Sequence, residues 1–306
     1  MSKNGGRNLF FILLSVFSII AATTVSFQLT QCYYKNFVRG KRFFIKGDYE
    51  TSLNFFESAY VCKPEKLELL QYLTWNYSRV GNQEKTLEML AKMVQVNPDD
   101  YKSRIWLGDT YYGLNDYAKA EQVYRNVLER EDSIKIRKSL AEVLVWQRKF
   151  EPALKILSGL EEIAPQNIWL LKLEADIYVE QQEFAKAESV YRKLIHLDRD
   201  GPYYEKLAEV LAWQKKYEES IALLEKIIDQ GGGSLKQMEL LADVYCWSRE
   251  YVKSTDMYYK VLSMGVEGLD RKRVTLKLAD VFRYSNRNSD AIKLYDQYLA
   301  KENDLQ

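Results

Sequence analysis

One segment recurs along most of this chain of 306 residues. Its clearest copies are LAEVLVWQRKFEPA at residues 140–153, LAEVLAWQKKYEES at 207–220 and LADVYCWSREYVKS at 241–254. Extending the alignment in both directions gives eight repeats, which start at residues 33, 67, 101, 134, 168, 201, 235 and 272. The starts are 33 or 34 residues apart, and 37 apart before the last repeat. Such a period predicts one pair of α-helices per repeat, each pair buried by stacking on its neighbours.

The columns of this alignment indicate how the helices pack. We number positions from the start of each repeat. Positions 8 and 20 are small or short in every repeat, as in Gly108 and Ala120 of repeat 3. Positions 11 and 24 are large throughout, and position 17 is aromatic in most repeats. We expect the small residues to let the two helices of one repeat approach closely, while the large residues fill the space between successive repeats.

With eight aligned copies, residues 33–306 resemble the tetratricopeptide repeat (TPR) family. The resemblance implies an all-α fold of about eight helix–turn–helix units, each with a helix A and a helix B, wound into a right-handed superhelix. It implies a concave surface that is lined by positions 2, 5, 9, 12 and 13 of helix A and binds partner proteins. The usual alanine at position 27 is replaced by larger residues such as Met93 and Leu160, so we expect wider helix spacing.

The N-terminal segment differs from the repeats. Residues 9–27 carry no charge and are mostly apolar, and Lys3 and Arg7 precede them. As a helix this stretch would span roughly 28 Å, close to the hydrocarbon thickness of a bilayer. We therefore predict one transmembrane helix within residues 1–32, which tethers the repeat domain at 33–306. A cleaved secretory signal is the alternative, although its apolar region is usually shorter.

An acidic column follows the predicted concave surface. Position 9 is a carboxylate in six successive repeats, which are Asp109, Glu142, Asp176, Glu209, Asp243 and Asp280. In repeats 6 and 7 a second carboxylate precedes it by one helical turn, which gives the like-charged pairs Glu205/Glu209 and Glu239/Asp243. Such pairs destabilise a helix unless another group neutralises them.

Tryptophans extend this acidic column. Trp213 and Trp247 follow the two acid pairs by four residues, and Trp146 is their equivalent in repeat 4. One hypothesis is a groove for a basic or extended peptide, in which carboxylates meet Lys or Arg and indole rings make cation–π and apolar contacts. The alternative is that the tryptophans pack at helix ends and the acids form a solvated face.

Two of the three cysteines are placed to meet. Cys32 directly precedes repeat 1, and Cys62 is at its position 30. In an antiparallel helix pair the start of helix A lies near the end of helix B, so a disulfide is one expectation and two unpaired thiols the other. A disulfide would favour an oxidising compartment. We therefore expect a bacterial inner-membrane protein with a periplasmic repeat domain, with a cytoplasmic domain as the alternative that the basic residues after residue 32 favour.

The remaining composition excludes several classes of function. His196 is the single histidine, and no C-x-x-C pair occurs, so we expect no multi-histidine or zinc-ribbon metal site, no cofactor and no catalytic residues. The net charge of +1 gives no argument for nucleic acid binding. We predict a non-enzymatic, membrane-tethered scaffold for protein partners. The alternative is a carbohydrate-handling component of a bacterial exopolysaccharide or other envelope machine, because the L-A-[ED]-V-x-x-W repeats resemble those of envelope TPR proteins.

Overall fold

The protein is entirely helical over the part of the chain that its structure describes. This computed structural model describes residues 3–231 and 233–303, with side chains at 14, 16–231 and 233–296. These residues form sixteen α-helices and no strand, so the all-α prediction is confirmed. The helices are α1 Lys3–Ile45, α2 Tyr49–Cys62, α3 Leu67–Arg79, α4 Gln83–Val96, α5 Tyr101–Gly113, α6 Tyr117–Leu128, α7 Ile134–Trp146, α8 Phe150–Glu161, α9 Ile168–Glu180, α10 Phe184–Leu197, α11 Tyr203–Trp213, α12 Tyr217–Gly231, α13 Leu235–Trp247, α14 Tyr251–Ser263, α15 Gly268–Tyr284 and α16 Asn288–Asn303.

Each repeat is one pair of these helices, with helix A odd-numbered and helix B even-numbered. Helix A begins at the predicted residue in five repeats, those starting at 67, 101, 134, 168 and 235. In repeat 6 it begins two residues later, because Pro202 occupies the N-cap. In repeat 8 it begins earlier, at Gly268, so the longer spacing before this repeat is mostly an extension of α15.

The turn between helix A and helix B has the same backbone in every repeat. Position 15 is always in the left-handed region, at Gly47, Gly81, Asn115, Arg148, Gln182, Lys215, Arg249 and Asn286. In these turns a backbone N–H reaches back across the end of helix A, as from Lys216 to the carbonyl of Leu211 at 2.9 Å. Six of the eight residues are not glycine, and a left-handed conformation costs such residues about 1 kcal/mol.

The small residues at positions 8 and 20 let the two helices of a repeat touch. A Cβ atom at Gly40 would lie 2.6 Å from the ring of Phe56, and one at Gly108 would lie 2.7 Å from the ring of Tyr124. At position 20 the hydroxyl of Ser220 donates to the backbone carbonyl of Ala208 at 2.8 Å. Close approach therefore depends on the absence of a larger side chain, as the sequence predicted.

The chain forms two compact units, Met1–Ala153 and Leu154–Gln306. In the first unit, repeats 1 and 2 share a core around Phe37, Phe56 and Leu73. In the second unit, one core joins repeats 5 and 6, and another joins repeats 6, 7 and 8 around Leu224 and Tyr258. Each core thus lies between neighbouring repeats, as expected of repeats that bury their apolar faces by stacking.

The N-terminal segment continues into the first repeat without a break. Helix α1 runs from Lys3 to Ile45, so the predicted boundary between residues 32 and 33 falls inside one helix. Phe17, Ile19 and Phe27 are exposed on it. In the described part of the chain no helix is long and apolar enough to cross a membrane, so the predicted transmembrane helix is not supported. The side chains of residues 9–13 and 15, within the predicted span, lie outside the described residues.

Candidate functional site

The two acid pairs lie on the A helices of repeats 6 and 7. Glu205 and Glu209 occupy successive turns of α11, and Glu239 and Asp243 occupy the equivalent turns of α13. All four carboxylates are mostly covered by neighbouring side chains, and Glu239 is the most buried, with 10% of its side chain exposed. A buried carboxylate requires a partner, because leaving it charged and unpaired away from water is costly.

Each pair receives its partners largely from helix A of the following repeat. Lys236, at the start of α13, pairs with Glu205 and lies 3.7 Å from Glu209. Lys206 of α11 adds a second contact to Glu209, at 3.0 Å. The Lys236 ammonium donates a hydrogen bond to Glu205. This hydrogen bond raises the pKa of Lys236 and outweighs burial, which lowers it.

Helix A of repeat 8 likewise supplies the cations that pair with the two carboxylates of repeat 7. The Lys277 ammonium of α15 lies 2.8 Å from Glu239 and 2.7 Å from Asp243, and Arg273 also pairs with Glu239. Burial lowers the pKa of Lys277, but hydrogen bonds to Asp243 and Glu239 outweigh it and raise the pKa overall. We call the eight residues Glu205, Lys206, Glu209, Lys236, Glu239, Asp243, Arg273 and Lys277 the charge ladder.

The charge ladder changes the argument for a basic ligand. The sequence left open which group neutralises the like-charged pairs. In the structure, cations of the charge ladder contact all four carboxylates. Binding of a basic peptide stays a prediction, but the ligand would have to compete with Lys236, Arg273 and Lys277.

An open groove runs along part of the ladder. Its volume is about 490 Å³, and its walls carry Glu209, Lys236 and Asp243 of the ladder. Leu235 and Leu240 supply apolar surface between the charges, since Leu235 is exposed and Leu240 is only partly buried. In each ion pair of the ladder the cation is more exposed than the carboxylate. Lys236 and Arg273 each have half or more of the side chain exposed to solvent. This A-helix groove therefore offers charged and apolar contacts side by side.

Several aspartates of the acidic column have tyrosine partners within their own repeat. The hydroxyl of Tyr124 donates to Asp109 at 2.7 Å, and that of Tyr295 donates to Asp280 at 3.2 Å. The equivalent pairs are Tyr258 with Asp243 and Tyr191 with Asp176. Burial, followed by the nearby aspartate, raises the pKa of each of these four tyrosines.

These tyrosine–aspartate pairs were missed from the sequence, although a signal was present. Position 9 is aspartate in each repeat whose position 24 is tyrosine, and in no other. Where position 24 is leucine, position 9 is Trp75, Glu142 or Glu209. Asp176, Asp243 and Asp280 therefore have a role in holding helix A to helix B, whatever else they bind.

The three tryptophans lie at the ends of their helices. Trp146, Trp213 and Trp247 are the last residues of α7, α11 and α13. They are 61%, 43% and 46% exposed, so none is a core residue. Trp146 stacks on Tyr117 with ring centroids 5.8 Å apart, and Trp213 packs on Phe184 at 5.3 Å. One side of each of these two indoles is thus supported by the preceding repeat, and much of the ring stays open to solvent.

A second kind of contact between successive repeats is centred on a glutamate that its neighbours mostly cover. Glu188 on α10 accepts hydrogen bonds from Gln214 at 2.8 Å and from Lys216 at 2.7 Å, and Arg192 pairs with it at 2.9 Å. Burial opposes ionisation, but these three donors lower the pKa of Glu188 to about 2. Glu121 of the first unit has the same arrangement of donors, and its pKa is also lowered.

The structure brings the two predicted cysteines together. Cys32 of α1 and Cys62 at the end of α2 form a disulfide with Cα atoms 6.2 Å apart. The third cysteine, Cys246, is half-buried on α13, and burial raises the pKa of its thiol to about 11. The disulfide joins the long N-terminal helix to helix B of repeat 1.

Comparison with known proteins identifies the type of repeat. A family model described as anaphase-promoting complex, cyclosome, subunit 3 matches residues 80–160, and a tetratricopeptide repeat model matches residues 172–234. The tetratricopeptide repeat-containing protein trd-1 of Caenorhabditis elegans is 23% identical over 136 residues, 44% of this chain and 17% of trd-1. The BBSome complex member BBS4 of Bos taurus is 23% identical over 158 residues, 51% of this chain and 30% of BBS4. The chain thus spans less than a third of the length of these two relatives.

A solved structure agrees with the fold. A tetratricopeptide repeat protein from Parabacteroides merdae ATCC 43184 superposes with a TM-score of 0.53 at 18% identity, over 81% of this chain and 98% of that one. Likeness at this identity concerns the fold alone. The two family models and this likeness in fold together support an array of tetratricopeptide-type repeats.

Proposed function

We propose that the protein is a non-enzymatic scaffold that binds a protein partner at the A-helix groove of repeats 6 to 8. TPR proteins are generally protein-interaction scaffolds. The observation that carries the proposal is the groove itself, where apolar side chains lie between paired charges on three successive A helices. A partner segment would bury Leu235 and Leu240 and exchange hydrogen bonds with the outer cations of the charge ladder.

Site-specific cross-linking tests this proposal. A photo-crosslinking amino acid replaces Lys236 or Asp270, which both line the groove, or Lys260, which is exposed on helix B of repeat 7 as the control. We expect the groove positions to capture the same protein in the cells that produce the chain, and the control position not to capture it. Capture at Lys260 alone, or of unrelated proteins at the two groove positions, would contradict the proposal.

The second candidate is carbohydrate handling in an envelope machine. The half-exposed rings of Trp213 and Trp247 favour it, because open indole faces stack on sugar rings as well as on apolar side chains. Binding of a neutral oligosaccharide would depend on these two rings and change little with salt, since it involves no net charge. Calorimetric titration of the wild type and of Trp213→Ala with a neutral oligosaccharide tests this candidate. Binding that persists in the variant would reject the indole rings as the sugar site.

We also propose that α1 tethers the protein to a membrane, with the repeats on the oxidising, periplasmic side. The exposed apolar side chains of α1 and the pairing of Cys32 with Cys62 support this proposal. Thiol labelling of intact and of opened cells tests it. Cys32 and Cys62 should resist labelling until a reductant is added. Free thiols at both positions, or recovery of the chain without membranes after gentle lysis, would contradict it.

A further inference from the structure

The turns that follow the exposed tryptophans share an unusual feature. Position 15 must adopt the left-handed conformation that suits glycine, and repeats 1 and 2 have glycine there. The three repeats with tryptophan at position 13 instead carry a cation at position 15, in the pairs Trp146/Arg148, Trp213/Lys215 and Trp247/Arg249. In the other five repeats position 15 is glycine, asparagine or glutamine. The tryptophan and the cation thus occur together three times and never apart.

Packing does not account for Lys215 and Arg249, whereas Arg148 lies over the ring of Phe150 at 5.5 Å. Within the turn of repeat 6, Gln214 and Lys216 face the preceding repeat and hydrogen-bond to Glu188. Trp213 and Lys215, which alternate with them, are exposed. Repeat 7 has the same exposed pair at Trp247 and Arg249. Because the turn forms with glycine elsewhere in this chain, a long cationic side chain in a disfavoured conformation indicates a role other than folding.

We propose that the A–B turns of repeats 6 and 7 form a second docking surface, which binds an acidic segment of a partner protein with apolar side chains between its carboxylates. Each turn pairs a flat apolar face with a cation two residues further on. An apolar side chain of the partner packs on the indole, and a neighbouring Asp or Glu pairs with Lys215 or Arg249. Tryptophan and arginine are among the residues that contribute most to protein interfaces.

The spacing of the two turns defines the segment. Neighbouring packed helices lie roughly 10 Å apart, which about three residues span in the polyproline II conformation, where side chains three residues apart point the same way. The partner therefore presents an apolar residue and an acid at every third or so position. This surface uses other residues than the A-helix groove, so a partner could occupy both. In the first unit, Trp146 and Arg148 form one equivalent turn.

Two pairs of substitutions test the proposal in the full chain. The probe is a fluorescent peptide of about fifteen residues in which a leucine followed by a glutamate recurs every third residue. Trp213→Ala with Trp247→Ala should raise its Kd at least about tenfold. Lys215→Gly with Arg249→Gly should do the same while raising Tm, because glycine relieves the left-handed turns. A loss of binding together with a gain of stability cannot result from misfolding.

The controls separate this surface from the alternatives. Gln182→Gly changes the equivalent turn of repeat 5, where position 13 is Glu180, and should raise Tm without changing the Kd. Unchanged binding in the Lys215→Gly, Arg249→Gly variant would overturn the proposal. Equal binding of a peptide with lysine in place of glutamate, or binding of oligoglucuronate but not of the acidic peptide, would overturn it as well. None of these results bears on cross-linking at Lys236, so the groove proposal stands or falls separately.

Discussion

The first and last repeats join their A helices by different chemistry. Between repeats 1 and 2 the contact is aromatic, since Tyr72 packs on Phe44 at 5.2 Å and on Phe56 at 5.1 Å. An ion pair between the two A helices accompanies it, Lys41 with Glu68 at 3.1 Å, and the two side chains are 35% and 55% exposed. Between repeats 6, 7 and 8 the equivalent contacts are the ion pairs of the charge ladder, in which the carboxylates are covered and the cations are not.

The difference shows what the fold requires and what it leaves open. Both regions have the same turn at position 15 and small residues at positions 8 and 20. Neither needs a particular chemistry on the A-helix face, because aromatic stacking and paired charges both join successive repeats. Covered ion pairs are no more stabilising than apolar contacts of the same size. Stability alone therefore does not require the charge ladder, which agrees with the binding role that we propose for it.

The largest effect is expected in the aromatic region. Phe56 is fully buried against Gly40 and Tyr72, so Phe56→Ala should lower the free energy of unfolding by about 3–5 kcal/mol. Urea denaturation followed by circular dichroism measures this. Val61→Ala on the exposed face of the same helix is the control and should change stability by less than about 0.5 kcal/mol. Similar losses in the two variants would show that this junction is not a packed core.

The covered glutamates give the next effect and a pH dependence. The pKa of Glu188 is lowered to about 2 in the folded protein, so its ionised form stabilises the fold at neutral pH. That stabilisation, up to about 3 kcal/mol, is complete above the ordinary carboxyl pKa and is lost as the pH falls towards 2. Glu188→Gln should therefore be destabilising near pH 7 and almost neutral near pH 2.

Urea titrations at several pH values measure the Glu188 effect. Glu218→Gln, an exposed carboxylate on α12, is the control and should show no such trend. A Glu188→Gln penalty that is constant with pH would mean that the carboxylate is not the stabilising form. Glu121→Gln should repeat the trend in the first unit, because the same types of donor surround it.

Substitutions at the two kinds of ion pair sharpen the comparison directly. Glu239→Gln leaves Arg273 and Lys277 without one of their partners, and we expect a loss of about 1–2 kcal/mol. Glu68→Gln breaks the exposed pair with Lys41 and should cost less than about 0.5 kcal/mol. Thermal unfolding at low and high salt distinguishes the two. An equal loss at both sites would contradict the idea that the carboxylates of the charge ladder are shielded from solvent.

The smallest effects concern the turns. Gly81→Ala places a Cβ at a φ of +77° and should cost about 1 kcal/mol, although no atom lies within 4 Å of the new group. Asn286→Gly makes the opposite change in repeat 8 and should be neutral or stabilising by up to about 0.5 kcal/mol. Chemical denaturation of both variants measures the difference. If both changes destabilise, the left-handed backbone at position 15 is not shared by all repeats.

The repeats were predictable because their signals are local and periodic. Eight copies of one pattern determined the helix pairs, and the small residues Gly40 and Gly108 mark where helices touch. The predicted approach of Cys32 and Cys62 needed only the antiparallel geometry of one repeat. The extents of α1 and α15 were not predictable from the period, since each continues outside its repeat.

The chemistry of the acidic column was harder to predict, because it depends on neighbours one repeat away. Glu205 looks unpaired along its own helix, and only the stacking of α13 on α11 brings Lys236 to it. Asp243 looks like a free ligand group until Tyr258 is seen to face it. Each of these contacts joins two different positions of the repeat, so neither position reveals it alone.

The unbroken helix α1 has a mechanical consequence. Residues 3–32 precede the first repeat and form roughly 45 Å of continuous helix. Because Cys32 is bonded to Cys62, the base of this rod cannot swivel freely on the array. A partner or membrane that binds the far end of α1 would hold repeat 1 at a set distance and in a set orientation. A force or a twist applied there would be transmitted to repeat 1 instead of being absorbed by a hinge.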